Sequence, residues 1–160
     1  MIRICKKCAL HKTRKRIVAG FGSLPADVLF IDDFPRDTDE LTGTLNSGPT
    51  GILFDRLLAE VGIESFRIES VLACRVPFGQ DIEPAMVLSC SDRFLRITSK
   101  VKPKVIAFLN KDVKRWYRKE FLNAKSIIHP EIIVRSGGLR SPNLILFRRQ
   151  LIEVKEAISA

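Results

Sequence analysis

The 160 residues predict an α/β fold of three layers, αβα, around a central, mainly parallel four-stranded sheet. Three observations carry that expectation. Short unbroken apolar runs, with Val28-Leu29-Phe30-Ile31 the first, suit strands covered on both faces. Between these runs the apolar residues switch to helical spacing. The links are short, so each strand feeds a helix that returns the chain to a parallel neighbour. At 46% hydrophobic the chain can bury one core, and no run approaches the roughly 20 apolar residues of a membrane span. One domain over residues 1–160, with an N-terminal arm as part of it, is the expected organisation.

After the first strand comes a polar stretch rich in Asp, Thr and Gly. Residues 49–61 then place Ile52, Leu53, Leu57, Leu58 and Val61 on one helical stripe, with Gly62 as the stop. Phe66 to Ala73 reads as a second strand. Pro84 opens a helix carrying Met86, Val87, Cys90, Phe94 and Ile97, which sets Cys90 on the buried face near Cys74. Val105 to Leu109 is a third strand, and Asn110 is placed to cap a basic helix running to about Phe121. Ser126 to Ile128 makes a short fourth strand. Ser141 as N-cap and Pro142 at the first helical position begin a closing helix through Ile158. In such sheets ligands bind beyond the carboxyl ends of the strands, which selects the loops 32–47, 70–80 and 129–138.

Four cysteines, Cys5, Cys8, Cys74 and Cys90, are all the chain contains. A Cys-x-x-Cys pair in a basic arm, with two distant cysteines separated by fifteen residues, suits four thiolates converging on one soft metal centre. Zinc usually takes two tight pairs, and here the second is wide open. An iron-sulfur cluster tolerates ligands from separate elements. Four unrelated buried thiols remain an alternative. Disulfides are disfavoured because the start, Met1-Ile2-Arg3-Ile4-Cys5, carries no apolar signal region, which points to a reducing cytosol. A cytoplasmic or nucleoid-associated protein, not secreted and not at a membrane, is expected.

Net charge is +9 and the pI near 9.7. The charge is unevenly spread. Arg3, Lys6, Lys7, Lys12, Arg14, Lys15 and Arg16 precede the first acid, Asp27. A second basic cluster runs from Lys100 to Lys119 against Asp112 alone. Such patches favour a polyanion, and nucleic acid is the expected one; a merely solvated basic face is the other reading.

At the three loops the sequence resembles the family 4 uracil-DNA glycosylases. The stretch from Val28 to Asp55, with Pro35, Gly43, Gly48, Gly51 and Asp55 at matching intervals, is similar to that family's first motif region. Cys74-Arg75 followed by Pro77, Pro84 before Cys90, Lys102-Pro103-Lys104 before a strand, and His129-Pro130 followed by Arg135 also match. The resemblance implies a four-iron four-sulfur cluster on Cys5, Cys8, Cys74 and Cys90. It further implies DNA as partner; the basic charge of the arm, with Lys12, Arg14, Lys15 and Arg16, and of the region from Lys100 to Lys119 is expected to meet its phosphates, together with Arg75, Arg135 and the glycines Gly48 and Gly51 at a helix start, which serve phosphate approach or close packing.

The pocket departs from the family pattern. Gly-Glu-Ala-Pro-Gly becomes Asp32-Asp33-Phe34-Pro35-Arg36, Asn46 replaces the phenylalanine that stacks on uracil, and Ser70 replaces the asparagine that reads the base edge. His129 is retained, and the stretch from Asn110 to His129 is shorter than is typical of the family. The resemblance implies Asp33 as the group that orients water and His129 as the donor to the base oxygen. Phe34, Asn46 and Ser70 then complete the base pocket, with Phe34 either the replacement ring or a core residue. Two functions follow: hydrolysis of the N-glycosidic bond of uracil or another altered base, slow and poorly selective, or DNA binding without excision as a subunit beside a replication or repair protein.

Overall fold

Apolar alternation fixes the centre of the computed structural model, which describes residues 4–160. Arg3, the first cation of the arm, lies outside the described residues, as do Met1 and Ile2. Strand β2 (Val28–Asp32) is buried along its length. Its side chains part by turns, Val28 and Phe30 into one core, Leu29 and Ile31 into the other.

Strand β3 (Phe66–Ser70) and strand β4 (Val105–Phe108) flank β2 in parallel, and β5 (Lys125–Ser126) extends the sheet beyond β4. The four parallel strands are those expected. A fifth, β1 (Phe21–Gly22), runs antiparallel to β3, giving the order β1-β3-β2-β4-β5. The strand at Phe66 stops at Ser70 instead of Ala73, because the amides of Val71 and Leu72 turn to the carbonyls of Asp32 and Asp33 just past the end of β2.

One face of the sheet carries α2 (Pro49–Glu60), α5 (Pro130–Arg135) and α6 (Leu144–Ile158), which contribute Phe54, Leu57, Ile133, Phe147 and Leu151 to the first core. The other carries α3 (Pro84–Val101) and α4 (Lys111–Tyr117), with Phe94, Val101, Val113 and Tyr117 in the second. The arm joins that second core through Leu10, in a single 3-10 turn at Ala9–Lys12. A short helix, α1 (Asp37–Thr42), was not expected from the sequence; its polar residues show no stripe. Among the described residues no helix is long and apolar enough to cross a membrane.

Asn110 caps α4 as expected, accepting the Asp112 N–H at 3.0 Å, but the helix ends at Tyr117, short of Phe121. The closing helix starts at Leu144. Ser141 still acts as a local cap, its hydroxyl accepting the Asn143 N–H at 3.1 Å, with Pro142 in the turn ahead of the helix.

Candidate active site

A cavity of about 490 Å³, within the usual size of small-ligand pockets, opens beyond the carboxyl ends of β2 and β3. The segments 34–39, 48–51, 75–80 and 129–131 wall it, so the three loops selected from the strand order meet here.

Asp32 and His129 face each other in this cavity. Counting along β2 explains why: side chains 28, 30 and 32 share a face, so the acid aimed into this layer is Asp32. His129 stands at the start of α5, where its Nδ1 accepts the Glu131 N–H at 3.0 Å and caps the helix. That bond requires a bare Nδ1. The neutral ring therefore carries its proton on Nε2, which donates to Asp32 Oδ1 and Oδ2, both at 3.1 Å. Burial opposes ionisation of Asp32, but His129 and Arg36 outweigh it and hold the carboxyl well below its ordinary range. Burial also disfavours a charged imidazole, and Asp32 outweighs it, raising the His129 pKa.

Arg36 fills the position of the family's second glycine and crosses the cavity wall. Its Nη1 donates to Asp33 Oδ1 at 2.9 Å and to the Phe34 carbonyl at 2.7 Å. Its Nε lies 3.4 Å from Glu131 Oε2, its Nη2 3.8 Å from Asp32 Oδ1, and its guanidinium 4.5 Å above the Phe34 ring. With carboxylates on three sides it stays a cation. Neither Asp32, Arg36 nor Glu131 was singled out as a working residue from the sequence. Strand register was the signal available for Asp32; for Arg36 none was, since its partners come from three segments.

Of the other expected pocket residues, two line the cavity and two do not. Asp33, the residue expected to orient water, is not among the cavity-lining residues: its Oδ1 accepts the Phe34 N–H at 2.7 Å and pairs with Arg36. Burial and the Asp32 charge push its pKa up to about 6. Ser70 is likewise not among the lining residues: register puts it on the same face as Asp32, but it is buried and its hydroxyl donates to the Leu72 carbonyl at 2.5 Å. Asn46 lines the cavity, but its amide donates to Asp55 at 2.6 Å and its backbone is left-handed, φ 65°. Phe34 lines it with one face covered by Arg36.

The glycines border the cavity and also permit close packing. A Cβ on Gly48 would strike the Thr38 side chain, and one on Gly51 the Asn46 backbone. Arg75 and Arg135 lie on the rim, Arg75 held by Glu40 at 3.2 Å and Asp37 at 3.4 Å, Arg135 by Glu131 at 2.8 Å. Lys12, Lys15 and Arg16 are exposed, and the Lys15 N–H donates to Glu40 at 3.0 Å. Arg14 differs from the expectation of a phosphate contact. It turns inward, donating to the Cys74 sulfur at 3.6 Å and the Cys5 carbonyl at 2.7 Å.

Around that arginine the cysteines gather. Cys74 is a buried member of the second core, and Cys8 and Cys90 pack against the same core. All four thiols are free. Burial pushes the Cys74 thiol up to about 11, Arg14 opposing and Cys90 and Cys8 adding to the rise. Among the described residues no three His, Cys, Asp or Glu side chains form a group that could hold a metal ion.

No protein-family model matches the chain. Curated proteins do. Over 112 residues it is 35% identical to the type-4 uracil-DNA glycosylase of Archaeoglobus fulgidus, a stretch covering 69% of this chain and 56% of that protein. Identity to the protein of the same name from Saccharolobus solfataricus is 33% over 113 residues, 69% of this chain and 52% of the relative. For that of Thermotoga maritima it is 31% over 110 residues, 68% and 57%. The chain spans about half the length of the curated relatives it matches.

Proposed function

The chain belongs to the family of the type-4 uracil-DNA glycosylases, and from that premise we propose that it hydrolyses the N-glycosidic bond of uracil or another altered base in DNA. The observation that carries this reading is the Asp32–His129 pair in the cavity beyond the sheet, with the Arg36 cation beside it. Excision needs a base drawn out of the stack, a water held at the sugar, and support for negative charge on the departing base. Asp32, the carboxylate that faces the cavity, takes the water-orienting role in place of Asp33. The Arg36 guanidinium is a donor for the base oxygen as charge develops, joined by His129 Nε2–H, which leaves its bond to Asp32 to reach that oxygen. The exposed cations Lys12, Lys15 and Arg16 hold the phosphates.

The test is abasic-site formation on uracil-containing single-stranded and duplex DNA. His129→Ala should lower the rate about 10²- to 10³-fold, the usual loss for one donor to a developing oxyanion. Asp32→Asn should act similarly and Asp33→Asn far less. No abasic site on either substrate would overturn the reading, and a loss confined to Asp33→Asn would return the catalytic role to that residue.

Within the same proposal, Cys5, Cys8, Cys74 and Cys90 hold a four-iron four-sulfur cluster. What supports this is the packing of Cys8, Cys74 and Cys90 on one core, with Arg14 tying Cys5 to Cys74. A bound cluster would join the arm to α3 and the segment after β3, a structural and redox-capable link; no catalytic step above passes through it. Anaerobically purified protein should be brown and contain iron and sulfide, both lost in Cys74→Ser. Stoichiometric zinc without sulfide would overturn it.

A further inference from the structure

Among the chain's ten phenylalanines, nine are at least partly buried and one is fully exposed. The exception is Phe78. It sits at the tip of a turn in which the Gln80 N–H donates to the Pro77 carbonyl at 3.1 Å, and it borders the cavity. Gly79 follows at φ +81° with no atom near the place of a Cβ, so the outer side of the loop is open.

Three phenylalanines line the cavity, and two are already engaged. Phe54 is a core ring, packed edge-on to Phe30 at 5.0 Å and against Phe147 at 6.1 Å. Phe34 is covered by the Arg36 guanidinium. Asn46 offers no ring, and its left-handed backbone penalises a bulky replacement. Phe78 alone has both faces free. Its loop carries Asp81 and Glu83, both exposed, and no cation between residues 76 and 83, which disfavours phosphate and leaves the uncharged face of a base as the complementary surface.

We propose that Phe78 is the ring on which a nucleobase drawn into this cavity stacks. The assignment rests on the glycosylase reading above. A π-face accepts any base, so the ring supplies affinity while Asp32, Arg36 and His129 supply the polar contacts.

Two oligonucleotides test it: one carrying a 2′-fluorinated deoxyuridine that resists cleavage, the other a base-less tetrahydrofuran at the same position. Phe78→Ala should weaken binding of the uracil strand about five- to a hundredfold, in single-stranded and duplex form alike, and leave the base-less strand unchanged. Phe78→Trp should retain affinity, and Phe78→Leu should lose most of it. An equal loss on the base-less strand would overturn the proposal. So would a loss confined to duplex, which is the mark of a wedge in the helix stack, or a wild-type protein with no preference for the uracil strand. The outcomes separate the two readings: a Phe78-dependent uracil preference without excision sinks the hydrolysis alone, and excision indifferent to Phe78→Ala sinks the stacking ring alone.

Discussion

Two adjacent acids with opposite surroundings set the behaviour of the site. Asp32 shares His129 and Arg36 and is held ionised, while Asp33, buried beside that charge, has its pKa raised from 3.8 to about 6. The sign of the pH effect follows from the direction of the shift. A carboxyl with a raised folded-state pKa binds its proton more tightly in the folded than in the unfolded chain, so its contribution to stability is fully present below 3.8 and is lost as pH rises to about 6. The loss is at most about 3 kcal/mol. Asp33→Asn should therefore show a flatter unfolding free energy between pH 4 and 6 than wild type, measured by urea titration at each pH; parallel curves would contradict the assignment. The family resemblance pointed to Asp33, whereas the cavity is lined by its neighbour Asp32. Register along β2 separates them, since side chains 28, 30 and 32 point one way, whereas the reach of Arg36 to Asp33, Phe34 and Glu131 depends on contacts no local pattern encodes.

Elements with a strong period were legible and those without one were not. Helix α2 and strand β2 were readable because apolar spacing of 3.6 or an unbroken run survives any tertiary context. The two-residue β1 and the polar α1 exist because neighbours hold them: β1 pairs with β3, and Asp39 in α1 accepts the Arg36 N–H at 2.9 Å and the Ser47 N–H at 3.1 Å. The same tight packing reverses an ordinary propensity rule at the start of α2. Alanine normally favours a helix over glycine by about 1 kcal/mol. At Gly51 the added methyl would meet the Asn46 backbone, which is rigid, so Gly51→Ala should instead destabilise by about 1–3 kcal/mol. Urea unfolding would read this directly, and a stabilised variant would mean the Asn46 turn yields. That turn borders the cavity, so the variant should also disturb Asn46 and Gly48.

Two sets of cations lie toward opposite ends of the sheet. Lys102 and Lys104 lie at the amino ends of the strands, where the Lys104 N–H donates to the Asp27 carbonyl ahead of β2 and its side chain pairs with Asp27 at 3.0 Å. The cavity lies at the carboxyl ends. Lys12, Lys15 and Arg16 belong to the arm, which runs back along that end: the Lys15 N–H donates to Glu40, and Glu40 also holds Arg75 on the cavity rim. On the glycosylase reading proposed above, a DNA strand whose base entered the cavity would meet the arm's cations and not the lysines before β4. If about five phosphates are neutralised in all, the log-log salt slope on duplex DNA should be near −4 to −5. Replacing Lys12, Lys15 and Arg16 by glutamine should bring it to about −2, since each phosphate contact contributes about 0.9. Replacing Lys102 and Lys104 should leave it unchanged. Fluorescence anisotropy titrations across a salt series would decide, and an equal loss from both sets would place the duplex across the face of the molecule instead of at the cavity end.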